Sequence, residues 1–270
     1  MTEPSREIAP AKLNLAIHVR GKLPDGRHRI ETIYAFCTDG DHLSAVEADE
    51  LSIEVGGQFA RELPESGDNL ALKAARALRD ASGTTKGAAI ALDKRLPTAS
   101  GIGGGSADAG AVLRLLTALW GIDPKHAEAV APGLGSDVPA CLLSLPMRGD
   151  GAGDKLTAVQ LPELSGAPVL LINPRQPLAT ADVYAGWDGE DHGALDDWRN
   201  GRNDLEQPAM ALVPLVGTVL AWLSVQPAVN FTRMSGSGAT CFALFDSEEA
   251  RDQSADRVPR EWWRLATSLR

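Results

Sequence analysis

Apolar and polar residues alternate along residues 12–19, KLNLAIHV. Leu13, Leu15, Ile17 and Val19 form one row, and Lys12, Asn14, Ala16 and His18 the other. This period of two predicts a strand with one face on a core and the other open. Residues 21–28, GKLPDGRH, break the pattern with two glycines and a proline and read as a loop. Leu51, Ile53 and Val55 alternate again as a strand. A helix follows, with Asp68 as its cap, Leu70, Ala74, Ala77, Leu78 and Ala81 on one side, and Gly83 as its stop. Residues 86–93 form the next predicted strand. After a glycine-rich loop, Val112, Leu115, Leu116 and Leu119 recur at helical spacing up to Gly121. Asp123-Pro124 starts another helix, which Pro132-Gly133 and Gly135 end ahead of a short helix in SDVPACLL. Further strands are expected at residues 156–159, 169–172, 231–234 and 240–245. Residues 200–225 are expected to be mainly helical, and residues 247–255 helical. Strands and helices without strict βαβ alternation indicate an α+β protein, with its internal boundary in the Gly/Pro-rich region 146–168.

Composition narrows the classes. The chain has 270 residues, 44% of them hydrophobic, enough for a substantial core. A net charge of −10 argues against nucleic-acid or anionic-membrane partners, which select basic surfaces. Cys37, Cys141 and Cys241 lie far apart with no CxxC pair, so they read as buried thiols in a reducing compartment. The five histidines show no HExxH spacing. The N-terminal residues do not have the pattern of a secretory signal, and the apolar stretch 209–223 is short and interrupted by Pro214 and Gly217. A cytoplasmic protein is expected, monomeric or homodimeric.

The candidate chemistry sits in LPTASGIGGGSADAG, residues 96–110, between a strand and a helix. Glycines let a backbone turn sharply and approach a ligand. The first N–H groups of the following helix point outward at its positive end, which favours an anion site, with Ser106 adding a hydroxyl, over a glycine-rich turn that merely packs tightly. It is neither a Walker A loop, since the chain's Gly21-Lys22 is followed by Leu23, nor a Rossmann loop, since Ser106 or Asp108 stands where the third glycine belongs.

PTASGIGGGSADA resembles the phosphate-binding motif of the GHMP kinases, and SGSGAT, residues 235–240, is similar to their C-terminal glycine motif. PAKLNLAIHV, DGRH, GSDVP, RGDGAGD and NDLEQPA follow in the order found in one branch of that family. That branch phosphorylates the 2-hydroxyl of a cytidine diphosphate-linked methylerythritol in non-mevalonate isoprenoid synthesis. The resemblance implies the GHMP kinase fold, with a ribosomal-protein-S5-like N-terminal domain over residues 1–155 and a ferredoxin-like C-terminal domain over 156–270. It also implies ATP and Mg2+ as cofactors. Two rivals stand beside this reading. One is another GHMP kinase of homoserine or mevalonate type. The other is a non-catalytic nucleotide or sugar sensor on the same scaffold.

The resemblance assigns roles residue by residue. Asp137 is the catalytic acid–base group, although an Asp before Val138-Pro139 also suits a helix cap. Lys12 holds Asp137 ionised or contacts the phosphate; the plain alternative is a solvated lysine on the strand's open face. Pro97, Gly101, Gly103, Gly104, Gly105 and Ser106 hold the triphosphate, and Ser106 is a candidate Mg2+ ligand. Asn14 binds substrate or orients Lys12. His28 hydrogen-bonds the base, Tyr184 stacks on it, and Gly236 and Gly238 shape a closing loop. Arg27 stands where the family carries an aromatic residue that stacks on the base; a guanidinium plane can also stack. Asp154 and Glu206 read as structural rather than metal-binding.

Overall fold

The computed structural model describes residues 3–63 and 69–270. The chain divides into two units, each assembled from separate stretches of sequence. The α+β class is as expected.

The first unit comprises Met1–Ala11, Asp39–Thr98 and Gly103–Ser144. It holds the start of β1 (Ser5–Lys22), the end of β2 (His28–Ala48), β3 (Leu51–Gly56) and β4 (Gly87–Asp93). Strand β4 pairs antiparallel with β2, from His42↔Asp93 to Ala48↔Gly87, and parallel with β3. Four helices belong here: α1 (Leu70–Ser82), α2 (Gly104–Trp120), α3 (Lys125–Leu134) and α4 (Val138–Leu143). Asp68 lies outside the described residues; Asn69 caps α1, its Oδ1 accepting from the N–H groups of Ala71 at 2.8 Å and Leu72 at 3.4 Å. Helix α3 runs through Pro132 and stops at Gly135, whose φ of 151° is open to glycine.

Helices α2 and α4 pack closely because position 110 carries no side chain. A Cβ on Gly110 would lie 2.7 Å from the carbonyl carbon of Cys141. Arg114, one turn on, donates to the carbonyls of Cys141 at 2.7 Å and Leu142 at 3.1 Å, satisfying groups that a helix end leaves open. Its partner Glu7 lies 3.1 Å away.

The second unit comprises Lys12–Thr38, Ala99–Ile102 and Leu145–Arg270. Here β2 pairs with β5 (Met147–Asp150), which pairs with β6 (Lys155–Ala158). A separate antiparallel sheet has the order β10-β7-β9-β8, from β7 (Pro168–Asn173), β8 (Val229–Met234), β9 (Cys241–Phe245) and β10 (Trp263–Ser268). Its helices are α5 (Thr180–Ala185), α6 (Glu206–Leu212), α7 (Leu215–Ser224) and α8 (Glu248–Ala255). Leu170, Ile172, Val216, Val219, Leu223, Cys241 and Ala243 are the centre of its core. The helical stretch expected over 200–225 is two helices, parted at Val213-Pro214, with a loop before them.

Strands β2, β5 and β10 were not legible in the pattern. Strand β1 departs from expectation in another way: residues 9–19 are buried on both faces. Lys12, Asn14 and His18 are 3%, 2% and 3% exposed, so the polar row faces inward rather than to solvent. Buried polar groups need partners, and each of these has them. His18 shows the rule: Nδ1 donates to the Gly193 carbonyl at 3.0 Å and Nε2 accepts from the Arg202 N–H at 3.1 Å. Cys37, Cys141 and Cys241 are buried, as expected.

Candidate active site

In the first unit the glycine-rich residues 103–106 open α2, as the pattern indicates. Gly103 is the residue before the first turn, in the left-handed region at φ 66°, and has no side chain to cover the first N–H groups of the helix. Gly105 is exposed and Ser106 half-buried. The first N–H groups of a helix have no partner within it, the feature that anion sites use. Pro97 is buried at the entrance to the loop.

Asp137 precedes α4 and is half-buried. Its carbonyl accepts the N–H of Cys141 at 3.0 Å, but its carboxylate makes no capping bond to the helix. The capping role that the residue type allows is therefore not the one its side chain takes. Gly110 and Arg114 secure the helix that Asp137 heads.

In the second unit Lys12 is not a solvated lysine. Its Nζ donates to Asn14 Oδ1 at 2.8 Å and lies 5.2 Å from the centre of the Tyr34 ring. Asn14 Nδ2 donates to Thr32 Oγ1 at 2.8 Å, and Thr32 Oγ1 donates to the Ala16 carbonyl at 2.7 Å. The amide orientation is thereby set: the oxygen faces the ammonium. The Asn14 N–H reaches Ser235 Oγ at 3.1 Å, and that hydroxyl donates to the Gly101 carbonyl at 3.0 Å. Lys12, Asn14, Gly101 and the SGSG loop are thus one hydrogen-bonded group. Its backbone approach is close: a Cβ on Gly101 would stand 2.3 Å from the Ser235 carbonyl oxygen. Gly236 and Gly238 hold positive φ values of 59° and 85°.

Asn203, from the NDLE stretch, holds that loop. Its Nδ2 donates to the carbonyls of Met234 and Gly236, both at 2.8 Å, and its Oδ1 accepts from the Leu205 N–H at 3.0 Å. Glu206 accepts from the Met234 N–H at 3.1 Å and Asp154 from the Ala152 N–H at 3.1 Å, which are structural tasks. Asn203, Thr32 and Ser235 are additions to the expected set. Only Asn203 and Ser235 lay in quoted motifs; Thr32 lies in the strand that the pattern did not show.

His28 and Tyr184, far apart in sequence, stack with ring centroids 4.6 Å apart, and Trp187 meets the His28 ring edge-on at 5.7 Å. Burial first, then Lys22, hold the His28 imidazole below its usual pKa, so it is neutral near pH 7, with one nitrogen donating and one accepting. The Trp187 Nε1 is buried with no partner. Arg27 is exposed. Its guanidinium pairs with Asp25 at 2.8 Å and Asp154 at 3.4 Å.

Comparison with known proteins agrees with this geometry. The profile described as GHMP kinases N terminal domain matches residues 69–144, and that described as GHMP kinases C terminal matches 188–265. A 4-diphosphocytidyl-2-C-methyl-D-erythritol kinase of Rhizorhabdus wittichii is 49% identical over 98% of this chain and 94% of its own. The crystal structure of a 4-(cytidine 5'-diphospho)-2C-methyl-D-erythritol kinase superposes with a TM-score of 0.83 at 30% identity, covering 98% of both chains. A homoserine kinase from Cytophaga hutchinsonii shares the fold, with a TM-score of 0.71 at 18% identity over 100% of this chain and 96% of its own. The buried Lys12–Asn14 pair, the glycine cradle and these likenesses along nearly the whole length place the chain in the GHMP kinase family, among the 4-diphosphocytidyl-2-C-methyl-D-erythritol kinases.

Proposed function

We infer that this chain transfers the terminal phosphoryl group of ATP to the 2-hydroxyl of 4-diphosphocytidyl-2-C-methyl-D-erythritol, in the cytoplasm. The observation that carries the reading is the likeness, over nearly the whole chain, to kinases of that name. The homoserine and mevalonate alternatives share only the fold with this chain. Lys12, Asp137 and Ser106 together speak against a sensor, which has no need of an acid–base residue.

Phosphoryl transfer asks a protein mainly for positioning and charge neutralisation. The substrate oxygen bonds to the γ-phosphorus as the bond from that phosphorus to the bridging oxygen breaks, and ADP leaves. Asp137 takes the hydroxyl proton. Lys12, its ammonium aimed by Asn14, neutralises charge on the group in transfer. Gly101, Gly103, Gly104, Gly105 and Ser106 hold the phosphates, with Pro97 fixing the loop's entrance. Gly236 and Gly238 give the SGSG loop its path beside Gly101. The neutral His28 reads the base and Tyr184 stacks on it. Arg27 borders that pocket with its charge already answered by Asp25 and Asp154.

Among the described residues no group of three or more His, Cys, Asp or Glu side chains is arranged for a metal. Mg2+ would be carried in on phosphate oxygens and waters, with few protein ligands; the Ser106 hydroxyl is the protein oxygen that would reach it. When bound, Mg2+ supplies charge neutralisation between the phosphates. The two-domain division near residue 155 belongs to this reading, supported by family profiles that end at 144 and resume at 188.

The test is ADP release with Mg-ATP and, in turn, the cytidylyl substrate, homoserine and mevalonate. Turnover confined to the cytidylyl substrate is expected. Turnover with another acceptor instead would overturn the substrate assignment.

A further inference from the structure

The glycines of RGDGAGD, residues 148–154, have no task in the roles above. They form a wall against one face of β2. Gly149 stands opposite Thr32 in the β2–β5 ladder. A Cβ on Gly149 would lie 2.7 Å from Tyr34 Cε2 and 3.1 Å from Thr32 Cγ2, so both side chains need this position bare. Tyr34 Oη donates to the Gly153 carbonyl at 3.2 Å. Residues two apart on a strand share a face, and Thr32 and Tyr34 are both buried on this one.

Thr32 belongs to a row of hydrogen bonds whose direction is fixed from one end. The Ala16 carbonyl can only accept, so the Thr32 hydroxyl donates its proton there, at 2.7 Å. The same oxygen then has only lone pairs to offer Asn14, and it accepts from Nδ2 at 2.8 Å. A carboxamide that gives its NH2 to Thr32 turns its oxygen the other way, to Lys12 Nζ at 2.8 Å. The Tyr34 ring flanks the same ammonium, 5.2 Å from its centre. The Thr32 methyl lies against Gly149, and a β-branched side chain so packed keeps its hydroxyl aimed. Without that hydroxyl, Asn14 Nδ2 and the Ala16 carbonyl lose a partner in the interior, where unpaired groups are unfavourable. The carboxamide regains a bond only by moving, and the oxygen that aims Lys12 moves with it.

We propose that Thr32 is a positioning residue for phosphoryl transfer: seated on Gly149, it acts through Asn14 to hold the Lys12 ammonium in place. The proposal rests on the kinase reading, in which Lys12 neutralises charge on the group in transfer. Its effect belongs to the transfer step rather than to the binding of either substrate.

The experiment is steady-state kinetics of the full chain with Mg-ATP and the cytidylyl substrate. Wild type is compared with Thr32→Val, Thr32→Ser, Asn14→Ala and the double variant Asn14→Ala with Thr32→Val. Thr32→Val keeps the shape and loses the hydroxyl; kcat should fall roughly 10- to 100-fold, with both KM values within about threefold of wild type. Thr32→Ser returns the hydroxyl and should recover kcat to within about fivefold of wild type. In the Asn14→Ala background Thr32→Val should lower kcat no further, because the residue it acts through is gone. A packing defect would instead lower kcat in both backgrounds. On the wild type, NMR hydrogen exchange should show slowly exchanging Asn14 carboxamide protons, a reading that does not depend on how any variant folds. Unchanged kcat in Thr32→Val, an equal fall in Thr32→Ser, a full further fall in the Asn14→Ala background, or carboxamide exchange at the solvent rate each overturns the proposal and leaves the kinase reading intact. No turnover by wild type with any acceptor named above overturns both.

Discussion

In the proposed function Asp137 and Lys12 are ordinary residue types that act as reagents. Asp137→Asn preserves shape but cannot take a proton; turnover should drop by roughly 10²–10⁴ while ATP affinity is kept. Steady-state kinetics beside calorimetry check this, and unchanged turnover would remove Asp137 from the chemistry. Arg27→Tyr breaks the pairs with Asp25 and Asp154 and restores an aromatic ring beside His28. Substrate affinity should hold or tighten; a loss of tenfold or more would show that the guanidinium contacts the substrate itself.

Elements place these residues by close approach and by hydrogen bonds that span long sequence distances. Helix α4 can lie against α2 only while residue 110 lacks a Cβ. Gly110→Ala should cost about 1–3 kcal/mol of stability through overpacking and lower turnover by shifting the helix that Asp137 heads. Retained turnover with lowered stability would confine Gly110 to packing. Asn203 does for the SGSG loop what Arg114 does for α4: it donates from a side chain distant in sequence to two backbone carbonyls. Asn203→Ala should cost about 1–3 kcal/mol, measured by denaturant unfolding. At this scale legibility was uneven. Helices such as α2 announced themselves because apolar residues at helical spacing ran uninterrupted from one glycine boundary to the next. Strand β2 did not, because Asp39, Gly40 and Asp41 interrupt its alternation, and Asp41 is spent on Lys94 and two backbone N–H groups inside the protein.

At the scale of the whole molecule, ligand binding should register as global stabilisation. Mg-ATP at 100 times its dissociation constant adds about 2.7 kcal/mol, a rise of several degrees in melting temperature. The cytidylyl substrate should add a further rise, and homoserine none; equal shifts from both acceptors would count against the assigned specificity. The sequence by itself determined the α+β class, the glycine-rich start of α2 and the family, because glycine spacing, helix starts and ordered motifs are local properties that survive in one dimension. Only the tertiary structure decided that the polar row of β1 faces inward and that Lys12 takes its orientation from Asn14. It alone paired His28 with Tyr184, tied Arg27 to Asp154 and set Lys94 between Asp41 and Asp108. Those facts depend on what packs against a residue from stretches of chain far away, and burial and pairing, not residue type, decide whether a lysine or an aspartate is solvated, charged or reactive.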